Sequence, residues 1–332
     1  MRLSVIIVSY NVCDLLRRCL QSVYDSSRLT SDWLSVDLTV VDNASGDGSA
    51  QMVAAEFPHV HLIASPDNLG FPRANNLALK HLGFGDDRNR KAAPELVMLL
   101  NPDTEIVDDA LGKMAAFLRD HPHAGACGPR LHYADGSLQH AAFAFPGLAQ
   151  LLLDLFPLAD VPVARRAFHR LLDSRLNGRY PRRQWLGVVP FPVGFVLGAA
   201  LMARAESVLK TGLLDEGYFM YCEEMDWCLR MQAAGLPVCA VPTAQIIHHE
   251  GRSSSQVRWQ SYERLWASRM RFFRLHNRLY PAGFHLYLRI LLQLGLAWNS
   301  LIARRRFAQG RLSGDRLAEQ LDAYARVMKL GG

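Results

Sequence analysis

Short hydrophobic runs alternate with longer amphipathic segments through the first third of the chain. Runs that are apolar at successive positions predict buried strands, and they are Leu3–Val8, Leu38–Val41, Val60–Ala64 and Leu96–Leu100. Helical periodicity follows each of the first three, around residues 14–24, 48–56 and 72–82. Strands that are apolar on both faces and alternate with helices form parallel sheets covered on both sides. The pattern therefore predicts an α/β fold with a mostly parallel central sheet.

Polar residues follow these strands at the edge where α/β sheets bind their ligands. Ser9-Tyr10-Asn11 follows the first strand, and Asp42-Asn43-Ala44-Ser45 follows the second. Neither position carries Gly-x-Gly-x-x-Gly or Gly-x-x-x-x-Gly-Lys-Ser/Thr. These absences argue against a dinucleotide dehydrogenase and against a P-loop NTPase.

The pattern becomes less regular beyond residue 120. Asp135-Gly136 is flanked by residues 131–133 and 138–140 and predicts a hairpin. Residues 146–186 mix apolar stretches, prolines and a basic cluster without clear periodicity, which indicates a mobile, insertion-like region. Helical patterns rich in arginine dominate from Tyr262 onward.

The composition supports a folded, intracellular protein of one large or two smaller units. The chain has 332 residues, of which 50% are hydrophobic and 20% charged, so it can bury a full-sized core. Its six cysteines include no Cys-x-x-Cys pair, which argues against a disulfide framework and a zinc site and favours reduced thiols. The apolar run at the N-terminus is too short for a signal peptide, so export is not expected.

The net charge of +6 is unevenly distributed along the chain. Residues 252–311 hold twelve arginines against one acid, Glu263, a net charge of +11, so the remainder carries −5. A basic C-terminal region on an acidic body indicates a polyanionic partner, either membrane phosphates or nucleic acid. The alternative is an ordinary solvated helical face. The region has no recognisable nucleic-acid reading motif, and this favours the membrane.

Residues 284–303 form the most apolar segment of the chain. A spanning helix needs about 20 apolar residues, and a central arginine such as Arg289 costs about 2.5–3.5 kcal/mol on insertion scales. His285, Arg289 and Gln293 recur every four residues on one stripe, and three arginines follow at 304–306. This pattern favours a helix lying in the interface among anionic lipid headgroups, with a buried helix as the alternative.

Acidic and polar residues after the strands are candidates for ligand binding. Asp42 could accept hydrogen bonds from a nucleobase or ribose, or could cap a turn. The segment 68–76 opens a helix whose N–H groups and Arg73 could face a phosphate. Asp103, after the strand ending at Leu100, could be an oxygen ligand for Mg²⁺ or Mn²⁺, or part of a plain turn at Pro102.

A second group of candidates lies near the end of the first 255 residues. Glu223, Glu224 and Asp226 begin a helical run that ends at Gly235, with Asp226 and Arg230 spaced for an ion pair. Acids at a helix N-terminus suit the helix dipole, but a partly desolvated carboxylate there could also act as a general base. One imidazole of His248-His249 could complete a metal site with Asp103, since adjacent histidines point to opposite sides.

In combination, these segments resemble the family 2 glycosyltransferases, and the branch they resemble is the rhamnosyltransferase-type enzymes of cell-surface polysaccharide assembly. The resemblance covers residues 3–255. The segments that carry it are Leu3–Asn11, Val40–Ser45, Asn68–Asn76, Leu99–Glu105, Gly198–Met202, Phe219–Arg230 and Ile247–Gly251.

The resemblance implies a GT-A fold and inverting transfer of a sugar from a nucleotide diphosphate with Mg²⁺ or Mn²⁺. Asp42 would contact the base or ribose, and Asp103 would be the last position of the Asp-x-Asp metal motif, with Asn101 in place of its first acid and His248 as a second ligand. Glu224 would be the catalytic base. The other residues implied are Ser9, Tyr10, Asn11, Asn68, Gly70, Arg73, Asn76 and Asn101 for the donor, and Gly198, Ala199, Glu223 and Asp226 for the acceptor.

We therefore expect a glycosyltransferase domain over residues 1–255, with a nucleotide-binding half (1–105) and an acceptor half (106–255), followed by a membrane-associating helical extension over 256–332. Rhamnose from dTDP-rhamnose is the expected donor, and the expected acceptor is a lipid-linked saccharide at the inner face of the cell membrane. The alternatives are a UDP- or GDP-sugar donor (galactofuranose, N-acetylglucosamine, glucose or mannose) and a non-catalytic nucleotide-sugar-binding module. No nucleic-acid partner is expected.

Overall fold

The computed structural model describes residues 1–85, 93–157, 165–249 and 258–330, without the side chains of 165–167 and 169. The strands are β1 (Arg2–Ser9), β2 (Ser35–Asn43), β3 (His61–Ser65), β4 (Leu96–Leu100), β5 (Thr104–Val107), β6 (Ala126–His132), β7 (Leu138–Gln139), β8 (Ala142–Phe143), β9 (Phe191–Val193), β10 (Phe195–Val196), β11 (Ala200–Arg204) and β12 (Val238–His248). The helices are α1 (Cys13–Arg28), α2 (Ser49–Glu56), α3 (Phe71–His81), α4 (Ala110–Asp120), α5 (Leu148–Leu155), α6 (Arg165–Leu172), α7 (Arg182–Trp185), α8 (Ala205–Thr211), α9 (Glu223–Ala233), α10 (Arg258–Leu275), α11 (Phe284–Ala308) and α12 (Gly314–Leu330).

The chain divides into two compact units. The first contains Met1–Phe145, Tyr180–Phe219 and Glu223–Ser253, and the second contains Pro146–Arg179, Met220–Cys222 and Ser254–Gly332. The boundary predicted at residue 255 lies outside the described residues, as do Glu250 and Gly251 of the last sequence motif.

A central sheet organises the first unit, in the strand order β3-β2-β1-β4-β11-β6-β12-β5. The first four of these strands pair in parallel, as the alternating pattern predicted. β11 runs antiparallel to both β4 and β6, while β6 and β12 pair in parallel. The predicted α/β fold with a central sheet is confirmed. The antiparallel β11 places residues 198–200 beside the carboxyl end of β4, where ligands bind in such sheets.

The predicted strands and helices of the first third match the structure closely. β4 spans the predicted Leu96–Leu100, and all five of its residues are buried because helices cover both faces of the sheet. The hairpin at Asp135-Gly136 also forms, with β6 and β7 paired antiparallel and Gly136 at a φ of +79°. A left-handed backbone at this turn suits glycine, which has no Cβ to clash with the backbone.

The segment 146–186 differs from the prediction. Its described residues form α5, α6 and α7, helices that the sequence pattern did not predict. These helices are short and separated by prolines, so no window is long enough to show a period of 3.6 residues. α5 precedes residue 255 in the sequence and belongs to the second unit.

Within the second unit, α5 packs closely against α11. A Cβ placed on Gly295 would lie 2.7 Å from Cβ of Leu155, so only glycine permits this approach. Asn299 Nδ2 donates a hydrogen bond of 2.7 Å to the carbonyl of Leu155, and Arg269 of α10 pairs with Asp154 at 2.9 Å. These are tertiary contacts, and the local sequence pattern does not contain them.

α11 presents two distinct faces. Leu288, Leu292 and Leu296 are fully buried. On the opposite face, large apolar side chains between one third and two thirds exposed form a stripe that we call the α11 stripe, and its members are Leu286, Tyr287, Ile290, Leu294, Trp298 and Leu301. Among the described residues α11 is the one helix long and apolar enough to cross a membrane, with 33% of its apolar window buried.

Candidate active site

The loops after β1 and β2 are tied together at the carboxyl edge of the sheet. Asn11 accepts a hydrogen bond from the backbone N–H of Gly46 at 2.8 Å, and its own N–H donates to Ser45 Oγ at 3.0 Å. Asn11 and Ala44 adopt left-handed backbone conformations, with φ of +53° and +66°. Such conformations are sparsely populated for these residue types and occur often at binding sites.

Asp42 lies beneath these loops with one carboxylate oxygen unpaired. The side chain is 3% exposed, and Oδ2 accepts a hydrogen bond from the N–H of Ser45 at 3.0 Å. Its Oδ1 is buried and has no partner among the described residues, and neither does Oγ of the fully buried Ser9. Buried polar atoms are normally hydrogen-bonded, so these two oxygens suit a ligand that supplies donors. Tyr10, directly after β1, is 41% exposed.

The loop after β3 is held by a residue that the sequence-based site did not include. Asn43 donates to Asn68 Oδ1 at 3.0 Å and accepts from the N–H of Leu69 at 2.8 Å, while Asn68 Oδ1 also accepts from the N–H of Gly70 at 3.0 Å. Asn43 is 3% exposed. Its position at the end of a buried strand was the available signal, and its positioning role depends on tertiary contacts.

Gly70 brings this loop against the segment before α9. Its φ is +77°, and an added Cβ would clash with the backbone carbonyl of Phe219. The N–H of Phe71 donates to the same carbonyl at 2.8 Å. A side chain at residue 70 would therefore force apart two segments that both carry predicted site residues.

Arg73 and Asn76, the other two residues of segment 68–76 that were predicted to bind the sugar donor, lie on α3. Arg73 is exposed and lies 3.8 Å from the Glu216 carboxylate. Asn76 is buried, and its amide donates to the Leu214 carbonyl at 2.9 Å and to Glu216 Oε1 at 3.0 Å, while its Oδ1 accepts from the N–H of Leu214. The polar atoms of Asn76 are thus engaged within the protein, so the structure does not bring it to the unpaired oxygens of Asp42 and Ser9.

Asp103 and His248 meet after β4 and at the end of β12. Antiparallel pairing of β5 with β12 sets Thr104 opposite His248, and the side chains of Asp103 and His248 are both buried. His248 Nε2 lies 3.3 Å from Asp103 Oδ1. Its Nδ1 lies 3.1 Å from Gln139 Oε1, a residue that the sequence-based site did not include. The neighbouring His249 faces away, with Nε2 2.6 Å from Glu105.

The Asp103–His248 pair could hold a cation in one of the two tautomers of the histidine ring. When His248 Nδ1 donates to Gln139, Nε2 presents its lone pair toward the Asp103 carboxylate. In that tautomer two acceptors face each other, and a proton or a cation between them would stabilise the pair. A carboxylate oxygen and an imidazole nitrogen are ligands that Mn²⁺ accepts. Among the described residues, no group of three or more His, Cys, Asp or Glu side chains is placed so that it could hold a metal ion.

Asn101 links this pair to the acceptor side of the site. Its amide Nδ2 lies 3.5 Å from His248 Nε2, and its backbone N–H donates to the carbonyl of Ala199 at 2.9 Å. A Cβ placed on the adjacent Gly198 would lie 3.7 Å from both Cβ and Cδ of Glu224. The structure therefore brings Asn101, Ala199 and Glu224, widely separated in sequence, into one continuous set of contacts.

Glu223 and Glu224 begin α9 as two buried carboxyl groups. They are 4% and 9% exposed, and Oε2 of each has no hydrogen-bond partner among the described residues. Burial raises the pKa of Glu224, partly opposed by hydrogen bonds from its own backbone N–H and those of Gly198 and Met225. Burial, and then the charge of Glu224, raise the pKa of Glu223 well above its usual range. A carboxylate with a raised pKa and an unpaired oxygen has the properties of a general base.

Asp226, on the same helix as these two acids, forms an ion pair with Arg230. Its Oδ2 accepts from Arg230 Nε at 2.8 Å, which confirms the spacing argument, and Arg230 Nη2 also donates to the carbonyl of Leu213 at 2.9 Å. Tyr221 and Cys222, directly before α9, have φ of +71° and +67°. A left-handed backbone costs about 1–2 kcal/mol for each such residue, and strain of this kind clusters at functional sites.

Comparisons with known proteins agree with the fold and identify similar proteins. Residues 4–143 match the model of Glycosyl transferase family 2, a stretch that includes Asp42 and Asp103 and ends before Glu224. The chain is 29% identical over 263 residues to N-acetylglucosaminyl-diphospho-decaprenol L-rhamnosyltransferase of Mycobacterium tuberculosis, covering 76% of this chain and 78% of that protein. It is 26% identical over 195 residues to rhamnosyltransferase WbbL of Escherichia coli, covering 57% and 66%.

Two solved structures share the fold. Mannosyltransferase PcManGT from Pyrobaculum calidifontis, solved with GDP-Man and Mn²⁺, matches 99% of this chain and 85% of its own with a TM-score of 0.56 and 16% identity. GalNAc-T7, solved with UDP, GalNAc and Mn²⁺, matches 75% of this chain with a TM-score of 0.50 and 14% identity, and the match spans 44% of that chain. The chain therefore has a GT-A-like fold, carries a match to Glycosyl transferase family 2 over residues 4–143, and is similar along most of its length to a rhamnosyltransferase.

Proposed function

We propose that this glycosyltransferase moves rhamnose from dTDP-rhamnose, with inversion at the anomeric carbon, to a lipid-linked saccharide in cell-surface polysaccharide synthesis. The observation that carries the proposal is Glu224, a buried carboxyl with an unpaired oxygen, connected through Gly198, Ala199 and Asn101 to the Asp103–His248 pair. The name of the M. tuberculosis relative supports both the donor sugar and an acceptor carried on a polyprenyl diphosphate.

The donor nucleotide would bind at the carboxyl edge of β1 and β2. Asp42 Oδ1 and Ser9 Oγ are buried without partners and would accept or exchange hydrogen bonds with the base or ribose. Asn43 holds the Asn68–Gly70 loop beside them. The two oxygens are already desolvated, so a nucleotide sugar that failed to pair with them would leave buried acceptors unsatisfied. This cost in binding free energy would favour nucleotides that supply the matching donors.

Asp103 and His248 would hold a divalent cation, Mg²⁺ or Mn²⁺, and the two structural neighbours solved with Mn²⁺ support this assignment. When bound, the cation would supply charge neutralisation for the departing diphosphate. Asn101 contributes a neutral amide where the family's motif has an acid, so this chain offers fewer negative charges to the cation. Gln139 fixes the orientation of the His248 ring, as partners of metal-binding histidines commonly do.

Glu224 would take the proton from the acceptor hydroxyl as that oxygen attacks the anomeric carbon. The bond from the anomeric carbon to the diphosphate oxygen breaks, and the nucleoside diphosphate leaves with the electron pair. Attack from the side opposite the leaving group inverts the configuration. General base catalysis typically contributes about 10²–10⁴ in rate.

The second unit supports a place at the inner face of the cell membrane. The α11 stripe exposes large apolar side chains, and three consecutive arginines, Arg304–Arg306, are exposed on the last turns of the same helix. An apolar face bordered by arginines binds anionic lipid surfaces. A lipid-linked acceptor would be reached from such a surface.

Transfer assays on the full chain test the proposal. The protein is incubated with Mn²⁺, an N-acetylglucosaminyl-diphosphoprenol acceptor and, in separate reactions, dTDP-rhamnose, UDP-sugars or GDP-sugars. Product formed with dTDP-rhamnose alone, with the anomeric configuration opposite to that of the donor by NMR, is the expected result. Product from a UDP- or GDP-sugar alone assigns the other donor class. If calorimetry shows that a donor binds but no acceptor yields a product, the chain is a non-catalytic nucleotide-sugar-binding module.

A further inference from the structure

One loop of the first unit exposes apolar side chains to an unusual degree. Leu186, Val188 and Val189 are 68%, 73% and 72% exposed, the three largest values for large hydrophobic side chains among the described residues. We call residues 186–189 the apolar loop. Single exposed hydrophobic residues are common on protein surfaces, but three within four positions form a contiguous patch that marks an interaction site.

The base of the apolar loop is firmly held. Trp185, directly before it, is fully buried, and its carbonyl accepts a hydrogen bond of 2.9 Å from Arg130. The Trp185 ring packs edge-on against Phe191, with ring centroids 5.1 Å apart. Phe191 begins β9, which pairs with β12 in the central sheet. Both ends of the loop are therefore fixed to the core, and the apolar tip is displayed by a rigid support.

The charges around the apolar loop indicate what it contacts. Arg182 and Arg183, on the helical turn before it, are both exposed, and residues 180–190 contain no acid. An apolar tip flanked by arginines matches an anionic lipid surface, in which the tip enters the acyl region and the arginines meet the phosphates. A symmetric contact with a second copy of the chain would instead bring the arginines of both copies together, which repels.

We propose that the apolar loop inserts into an anionic membrane and anchors the first unit to it. The anchor belongs to the polypeptide segment that leads to the candidate acceptor pocket, because β9 and β10 follow the loop and Gly198, beside Glu224, follows β10. Gly198 comes nine residues after Val189, at most about 30 Å of extended chain. The use of this anchor to receive a lipid-linked acceptor rests on the proposed function, whereas the anchor itself does not.

Vesicle co-sedimentation of the full chain tests the proposal. Phosphatidylglycerol vesicles are compared with phosphatidylcholine vesicles for the wild type, Val188→Ser/Val189→Ser and Arg182→Gln/Arg183→Gln. The matched control is Leu29→Ser, which alters a leucine of the same unit that is 64% exposed. We expect each loop variant to bind phosphatidylglycerol vesicles about tenfold more weakly or worse, and the control to bind as the wild type does. The same variants are also made in a protein that carries Ile290→Ser/Leu294→Ser. Vesicle binding through α11 then cannot hide the contribution of the apolar loop.

Unchanged vesicle binding by both loop variants in both backgrounds would overturn the proposal. So would a loss of self-association, measured by analytical ultracentrifugation, without any loss of vesicle binding, since the loop would then contact another copy. Circular dichroism of each variant verifies folding. Transfer to a short-chain, water-soluble acceptor separates the two proposals: loop-dependent vesicle binding without any transfer by the wild type would refute the proposed function and leave the membrane anchor standing.

Discussion

Oδ1 of Asp103 lies 3.3 Å from Nε2 of His248, and both side chains are buried at the carboxyl edge of the sheet. Gln139 orients the imidazole from its other nitrogen, at 3.1 Å. The pairing of β5 with β12 sets this geometry, so it exists before any ligand arrives. A preformed pair of this kind does not have to be ordered when a cation binds, and this favours affinity despite the small number of protein ligands.

Asp103→Asn tests this pair as a cation site. The substitution keeps the shape of the side chain and removes its negative charge, so we expect the Mn²⁺-dependent part of donor affinity to fall by about 10–100-fold. Calorimetric titration of the nucleotide sugar with Mn²⁺ and with EDTA measures it. Asp25→Asn, which alters an exposed side chain on α1, is the control and should behave as the wild type. If EDTA leaves donor affinity of the wild type unchanged, the cation assignment is wrong.

Glu224→Gln tests the catalytic base. The amide fills the same space but cannot accept the acceptor's proton, so transfer should fall by about 10²–10⁴-fold while donor affinity stays within about threefold. Initial rates and calorimetry on the same preparation separate the two effects, and Glu206→Gln on α8 serves as an exposed control. An equal loss of both would indicate that Glu224 has a structural role.

The wild-type rate should also depend on pH through Glu224. Burial raises the pKa of this carboxyl, and the base must be deprotonated to act. The rate should therefore rise with pH through a midpoint above the ordinary glutamate value of 4.5. A pH profile of kcat from pH 4 to 9 shows it, and a profile that is flat over this range would contradict the assignment.

Glu223→Gln should change how stability depends on pH. Burial and the charge of Glu224 raise the pKa of Glu223 in the folded protein, so the fold binds this proton more tightly than the unfolded chain does. The resulting stabilisation is complete below about pH 4.5 and is lost as pH rises through the raised pKa. Glutamine stays neutral throughout. At pH 8, Glu223→Gln should regain the free energy of unfolding that the buried charge costs, and each kcal/mol regained should raise Tm by about 2–4 °C. At pH 4, Tm should not change. Parallel Tm curves for the two proteins would refute the explanation.

Gly70→Ala and Gly48→Ala form a matched pair that separates backbone strain from steric clash. Both glycines have positive φ, +77° and +85°, but a Cβ on Gly70 would clash with Phe219 whereas a Cβ on Gly48 would have no atom within 4 Å. Gly48→Ala should cost about 1–2 kcal/mol of stability from the backbone alone. Gly70→Ala should cost clearly more and should also weaken donor binding. Chemical denaturation measures both, and equal losses would show that the Phe219 contact contributes nothing.

Ile290→Ser/Leu294→Ser tests the α11 stripe. These side chains are 51% and 58% exposed, so their replacement should leave the stability of the second unit unchanged and lower binding to anionic vesicles severalfold. Leu209→Ser, 37% exposed on α8, is the control. Vesicle binding equal to that of the wild type would remove α11 from the membrane assignment.

Local sequence patterns were sufficient to predict the strands of the first half of the sheet. The strand Leu96–Leu100 and the hairpin at Asp135-Gly136 form as predicted, because a run of apolar residues and a turn-forming dipeptide act over a few neighbouring positions. Asp42 and Asp103 became site candidates for the same reason, since each follows a predicted buried strand. The helices of 146–186 escaped prediction because each is too short to establish a period.

The chain by itself thus determined the alternating α/β pattern, the family resemblance and the acidic candidates, all of which are encoded in short segments. Only the tertiary structure decided that β11 runs antiparallel between β4 and β6, that Asn43 and Gln139 support the site, and that Gly198 lies against Glu224. Such contacts join residues far apart in sequence, and their free energy depends on burial in the assembled core. A local pattern cannot contain them, because the partner that makes each contact favourable is present only after folding.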